Sequence, residues 1–322
     1  MINPELDTIA QLILERSYQS DEPVRTLAPL KGGEWSAAYK FSLGDSSFVI
    51  RLSHTPENFH RDRISAEWSS PALPIPKIIE LGSQQNQHYA ISPFYPGEAF
   101  EMMPVDDLRQ TIPGFLSMMT AMQSVNLDSF DGFGTLTPAG KGEFSSWPEA
   151  LLDVNSDRPD NLNHGWKEAL SKTPKAQQQY DQFYKQLTRL VQYCPGQKSL
   201  IHSDLLYQNL LVHNHKISAV LDWGCAMFGD PLYDIAMFDF FEPWFPAFTQ
   251  VNLVQRMKQS FLNQSPHNHK NYSQRTLACQ IHLTLGNIAF CAISGGKHDF
   301  SGHINRLEEV LAAPMANAVC KA

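Results

Sequence analysis

The chain has 322 residues, 43% of them hydrophobic, and a formal net charge of −8. That length supplies about two domains with a large buried core. The acidic balance speaks against a general nucleic-acid binder, which would carry a basic patch, and it suits a cationic small molecule as well as plain solubility.

The opening segment "MINPELDTIAQLILERSYQSDEP" has no basic n-region and carries Glu5, Asp7 and Glu15, so it reads as an amphipathic helix over residues 1–20 and not as a signal peptide. Next come short β-type runs, "YKFSL" (39–43) and "SFVIRL" (47–52), joined by Gly44-Asp45, a hairpin signal. "TPENFHRDRISAEWSS" (55–70) reads as helix, and "LPIPKIIELG" and "QHYAISPFYPG" (73–97) as two further strands. From about residue 104 long helical patterns dominate: "VDDLRQTIPGFLSMMTAMQSV", "KAQQQYDQFYKQLTRLVQY", "FTQVNLVQRMKQSFLNQ" and "LACQIHLTLGNIAFCAI". Inside that half lie three strand signals, 199–202, 210–213 and 217–221. No apolar run approaches the roughly 20 residues of a membrane span. Five cysteines without a CxxC pair fit a reducing compartment. The expectation is a soluble, cytoplasmic protein with no nucleic-acid or membrane partner, a monomer or weak dimer.

The stretch "SLIHSDLLYQNLLVHNHKISAVLDWG" (199–224) carries the chemistry. Asp204 lies in a loop between strands, where a scaffold presents reactive side chains. Asn209 opens "NLLV", the chain turns at Asn214-His215, and "ISAVL" ends at Asp222. The hairpin brings Asn209 and Asp222 to one end, with Asp204 close by. Two carboxylates and an amide oxygen form a hard site suited to Mg²⁺ together with phosphates and water. Asn209 and Asp222 are the candidate metal ligands, and Asp204 the candidate base for a substrate hydroxyl. Upstream, "LKGGEWSAAYKF" (30–41) sets Gly32 and Gly33 in a turn, with Ser36 available to a phosphate oxygen, although no full G-x-G-x-x-G or G-x-x-x-x-G-K-[ST] is present. The two "HNH" triplets (213–215 and 267–269) have no Cys or carboxylate at ligand spacing and read as solvated turns.

His202-Ser203-Asp204 through Asn209, with Asp222-Trp223-Gly224, resembles the catalytic loop and metal motif of the protein-kinase-like fold. It is most similar to the aminoglycoside phosphotransferase family, and within it to the hygromycin B phosphotransferase branch, through "ALPIP" (72–76), "GFG" (132–134), "ISAVLDW" (217–223), "AMFGD" (226–230) and "PW" (243–244). The resemblance runs from about residue 25 to about residue 310. It implies a bilobal α+β fold: a small antiparallel-sheet, nucleotide-binding lobe over residues 1–97 and a larger, mainly helical lobe over 98–322 that holds the catalytic groups and the acceptor. It places Arg51 where the fold usually carries lysine and Asp62 as its acidic partner, with Glu67 as the fallback. Ser92 to Tyr95, Ser92 and Phe94 among them, fall at the interlobe hinge that meets a purine. His202 packs beneath the loop, Asp234 braces it, and Ser203 stands where the family has glycine, a strained choice if the position needs φ > 0. The aromatic run 237–248 follows the metal motif, so Asp239 and Glu242 are candidates to hold ammonium groups of an acceptor.

The function implied is an ATP- or GTP-dependent, Mg²⁺-requiring O-phosphotransferase, with antibiotic resistance as its role when the acceptor is a hygromycin-like aminoglycoside. A kinase of an amino alcohol, amino sugar or sugar fits the same residues. A non-catalytic nucleotide-binding protein is the reading from another class, supported by the partial glycine loop and the arginine at 51.

Overall fold

The computed structural model describes residues 4–17, 25–30, 36–159, 161, 163–206, 208–294 and 299–313. In chain order, α1 (Pro4–Ser17) precedes β1 (Arg25–Pro29), β2 (Ala37–Leu43) and β3 (Ser46–Ser53), followed by α2 (Glu57–Ser65), β4 (Glu80–Gln84), β5 (Gln87–Pro93), β6 (Glu98–Ala99) and α3 (Val105–Gln123). Then come β7 (Gly134–Thr135), α4 (Trp147–Leu152), α5 (Trp166–Ser171), α6 (Pro174–Leu190) and β8 (Ser199–Ile201). The hairpin β9 (Leu210–His213) and β10 (Lys216–Val220) leads to β11 (Met227–Gly229), α7 (Leu232–Phe241), α8 (Pro246–Gln250), α9 (Leu253–Gln264), α10 (Tyr272–Ile293) and α11 (Ser301–Ala312).

These elements form two compact units, one of residues 1–121, 137–140 and 204–226, the other of 122–136, 141–203 and 227–322. In the first, an antiparallel sheet has the order β1-β2-β3-β5-β4. Leu43 pairs with Ser46 across Gly44-Asp45, and Gly44 has φ +54°, a sign of φ that glycine carries at no steric cost. One face of the sheet is apolar: Tyr39, Phe41, Ile50, Leu52 and Ile91 bury against Ile9, Ala10, Ile13 and Leu14 of α1. The period of two then turns Ala38, Val49 and Arg51 to the other face. Residues 73–79, expected as strand, run extended without a ladder because Pro74 and Pro76 have no N–H, and pairing begins at Glu80.

A second sheet in this unit has the order β10-β9-β6. Asn214 and His215 both have positive φ, +50° and +59°, as a two-residue turn between twisted strands demands. Val220 N–H donates to Pro74 O at 2.8 Å, which stitches the hairpin to the extended segment.

The second unit packs helices around α10, against which α5, α6, α7 and α11 lie, with a small sheet of order β7-β11-β8. Trp147, Trp166, Tyr180, Phe228, Phe238 and Phe248 are fully buried there. Among the described residues one helix, α10, is long and apolar enough to cross a membrane by length and composition, which corrects the expectation that no such run exists. Its Leu277, Ala278, Ile281, Leu285 and Ile288 are buried in the unit's core, which is why the run is so apolar. The helical pattern expected across 248–264 is two helices, α8 and α9, because Asn252 takes φ +52° between them.

Candidate active site

A cavity of about 210 Å³ opens on the side of the first unit's sheet away from α1. Ser36, Ala38, Val49, Arg51 and Ser92 reach it from the five-stranded sheet. Gln208, Asn209, Leu211, Val220, Asp222 and Trp223 reach it from the hairpin and its flanks. Gly32 and Gly33 lie outside the described residues.

Arg51 is paired across the sheet with Ala38 on one side and Ala90 on the other, two small residues that leave its side chain room. Its Nη2 donates to Asp62 Oδ2. Asp62 is 4% exposed, and its second oxygen, Oδ1, accepts the Trp223 N–H at 2.7 Å. Glu67 is exposed on a short 3₁₀ turn and takes no part in this contact. Burial pulls the Arg51 pKa down, and the charges of Asp62 and Asp222 outweigh it and raise it. Burial, the largest influence, raises the Asp62 pKa against the pull of Arg51, and Asp222 adds its own negative charge beside both groups.

α2 grips the Asp222 motif at a second point. Arg61 Nη1 donates to Gly224 O at 3.1 Å and to Asn58 Oδ1 at 3.0 Å. Asp222 itself has φ +55° and ψ +73°, and its Oδ1 accepts the Gly224 N–H at 3.4 Å. A non-glycine residue in the left-handed region costs about 1–2 kcal/mol, so the contacts from Asp62 and Arg61 hold a backbone that local preference does not favour.

Asn209 Nδ2 donates to Asp204 O at 2.8 Å and to Asp204 Oδ2 at 3.0 Å. With the amide nitrogen committed to Asp204, the Asn209 oxygen is the atom left to face a cation. An amide oxygen and the Asp222 carboxylate lining one cavity match the few protein oxygens that Mg²⁺ takes beside phosphates and water. Leu221 N–H donates to Asn209 O at 2.7 Å and fixes the two ends of the hairpin together.

At the expected hinge, the Ser92 side chain faces the cavity opposite Val49. Phe94 N–H is committed to Ser47 O at 2.9 Å, and Lys40 Nζ lies 3.9 Å from the Phe94 ring centre.

The second unit holds the remaining residues. Asp234 is buried, and its two oxygens accept the N–H groups of His202 (3.1 Å) and Ser203 (2.7 Å). Burial pushes its carboxyl up to about 6, against the pull of these two bonds. Ser203 does take φ +63°, the conformation in which a serine is strained. Asp239 Oδ2 accepts from Gln280 Nε2 at 2.6 Å, and burial raises its pKa. Burial and the nearby Asp239 raise that of the more exposed Glu242. Asp230 and Arg275 form a buried bidentate pair at 2.7 and 2.8 Å.

The sequence reading missed Arg61, whose backbone acceptor lies 163 residues away, and Glu101, whose Oε1 accepts the Gln208 N–H at 2.6 Å. Contacts to a distant backbone leave no periodic or spacing signal.

A family model described as phosphotransferase enzyme family matches residues 26–257. The hygromycin-B 4-O-kinase of Escherichia coli is 28% identical over 304 residues, 93% of this chain and 86% of that protein. A solved structure of a thermostable mutant of the aminoglycoside phosphotransferase APH(4)-Ia, in ternary complex with AMP-PNP and hygromycin B, matches with a TM-score of 0.79 at 26% identity, over 93% of this chain and 97% of that one. The spectinomycin phosphotransferase APH(9)-Ia, solved with ADP and spectinomycin, shares the fold at 13% identity, with a TM-score of 0.54 over 97% of each chain.

Proposed function

The chain belongs to the phosphotransferase enzyme family, with its kinase-like α+β fold, and on that premise we propose that it transfers the γ-phosphoryl group of ATP to a hydroxyl of a small cationic acceptor of the aminoglycoside type, hygromycin-like in its chemistry. The observation that carries this reading is the direct tie between Asp204 and Asn209 in a chain whose Asn209, Asp222 and Arg51 line one cavity. The relatives solved with AMP-PNP and hygromycin B support the same class of donor and acceptor.

In this reading Asp204 Oδ accepts the proton of the acceptor hydroxyl as that oxygen bonds to the γ-phosphorus. The bond from phosphorus to the β–γ bridging oxygen breaks, and ADP leaves with the electron pair. Asn209 Oδ1 and the Asp222 carboxylate would hold Mg²⁺, which supplies charge neutralisation on the phosphates. Arg51, kept charged by Asp62, binds phosphate oxygens with a planar fork. Ser36 is the proposed contact to a phosphate oxygen, with Gly32 and Gly33 as proposed nucleotide-binding residues, and the 92–95 segment is proposed to meet the purine. Asp239 and Glu242 are the proposed ammonium-binding carboxylates. Residues 1–97 then serve the nucleotide and 98–322 the catalytic and acceptor groups, in a cytoplasmic protein.

The test is ADP release with ATP or GTP and Mg²⁺ across aminoglycosides, including hygromycin B, with amino alcohols and sugars alongside. Turnover with an aminocyclitol antibiotic is the expected result. Turnover with a metabolite alone would replace the acceptor and keep the chemistry, and ATP binding without turnover on any acceptor would overturn the catalytic reading.

A further inference from the structure

Gln208 is a non-glycine residue at φ +77°, directly before the proposed metal ligand Asn209. Such a residue persists in the left-handed region only where its surroundings over-determine it. Here Glu101 Oε1 accepts the Gln208 N–H at 2.6 Å, a short hydrogen bond to a carboxyl oxygen.

The residues leading to Glu101 are fastened at three points. Phe100, the residue before it, is buried and stacks on Phe115 of α3 with ring centres 4.7 Å apart. Ala99 pairs with Leu211 and Glu98 with Val212, so β6 is a rung of the sheet that carries Asn209 at its edge. Gly97 lies so close to the hairpin that a Cβ there would meet Ser218 Oγ at 2.8 Å and Val212 O at 2.9 Å, while Ser218 Oγ donates to Pro96 O at 2.7 Å. The strap 96–101 is thus fastened to the β9–β10 hairpin along its length and ends in a carboxylate placed on the loop.

We infer that Glu101 is a positioning residue for the metal-binding end of the loop, acting on Asn209 through the backbone of Gln208. The inference rests on the phosphotransfer reading above. Rotating Gln208 out of its positive φ would swing the Asn209 side chain, whose amide nitrogen is committed to Asp204 and whose oxygen would hold the cation. The strap also continues from Ser92–Tyr95 at the cavity edge, so one segment links the purine end of the cavity to the metal end.

The test compares wild type, Glu101→Ala, Glu101→Gln and the double variant Glu101→Ala/Gln208→Gly, each checked for an intact thermal transition. The readouts are Mg²⁺-dependent AMP-PNP binding by calorimetry and steady-state rates on the best acceptor. Removing a group that orients a metal ligand is expected to weaken Mg²⁺ dependence and kcat by about 10- to 100-fold, with metal-free nucleotide binding and acceptor KM unchanged. Glu101→Gln, which keeps a neutral acceptor oxygen, should fall between. Glycine at 208 takes positive φ unaided, so the double variant should recover most of the loss, an outcome that simple loss of packing would not give. Wild-type metal affinity in Glu101→Ala, or no recovery in the double variant, overturns the inference alone. A wild-type protein with no metal-dependent nucleotide binding overturns the phosphotransfer reading first.

Discussion

Asp62 bonds to the Trp223 N–H at 2.7 Å through one carboxylate oxygen while the other takes the Arg51 guanidinium. A single buried carboxylate therefore ties Arg51, the proposed phosphate-binding arginine, to the peptide that follows Asp222, the proposed metal ligand. The reach of an aspartate suffices because α2 packs directly on the 223–225 turn.

Asp62→Ala leaves Arg51, whose side chain is 19% exposed, without its partner, and leaves a buried N–H without an acceptor. Breaking a pair of this kind is expected to cost about 3–5 kcal/mol, read as a lowered urea midpoint. Asp62→Asn keeps an acceptor for Trp223 and should recover part of that loss. Equal midpoints for alanine and asparagine would show that the Trp223 bond contributes nothing.

Asp204→Asn keeps size and removes the proposed proton acceptor. The rate is expected to fall about 10²- to 10⁴-fold, while Mg²⁺-dependent nucleotide binding stays within error of wild type. Initial-rate measurements that found an unchanged kcat would remove Asp204 from the base role.

Asp234 has a folded pKa of about 6 against an ordinary 3.8 because it is buried. Its proton is held more tightly by the folded chain, so the stabilisation from protonating it is full below pH 3.8 and is lost as pH rises through about 6. The difference corresponds to about 3 kcal/mol. Unfolding free energies of wild type and Asp234→Asn across pH 4–7 should converge or cross by up to that amount, with wild type gaining on the acid side. The loop pays the opposite way: above pH 6 the ionised carboxylate offers two acceptors to the His202 and Ser203 N–H groups, and a protonated one offers a single good acceptor.

Asp230 is 0% and Arg275 5% exposed, and the pair is bidentate, with Leu232 N–H also donating to Asp230 Oδ1 at 3.0 Å. Asp230→Ala should destabilise by about 3–5 kcal/mol. Asp230→Ala with Arg275→Met removes both charges and should restore much of it, as measured in a double-mutant cycle.

Much of this was legible in the sequence where signals are local. Gly44-Asp45 between alternating runs gave the β2–β3 hairpin, and Asn214-His215 the β9–β10 turn, because turn chemistry is a property of two residues. The family was legible from the 202–224 motifs. Less legible were β1, a short run at the sheet edge with a register shift, and α11, which had no cap to announce it. The apolar length of α10 is hard to see in the sequence because polar Gln280, His282 and Thr284 interrupt its otherwise apolar run. The role of Glu101 depends on residue 208, 107 positions away, and no reading of neighbours contains that distance.

The first unit takes residues 204–226 from far along the chain. During synthesis, residues 1–121 leave the ribosome with no β9 for β6 to pair with, no Gln208 N–H for Glu101 and no Trp223 N–H for Asp62. That unit is completed only after about 80 intervening residues, most of them belonging to the other unit, have emerged. A nascent chain stopped before residue 204 would carry the Arg51–Asp62 pair beside a complete five-stranded sheet but without the hairpin and Asp222 turn that line the rest of the cavity, so nucleotide-binding capacity should appear late in translation, close to the moment residue 226 clears the exit tunnel.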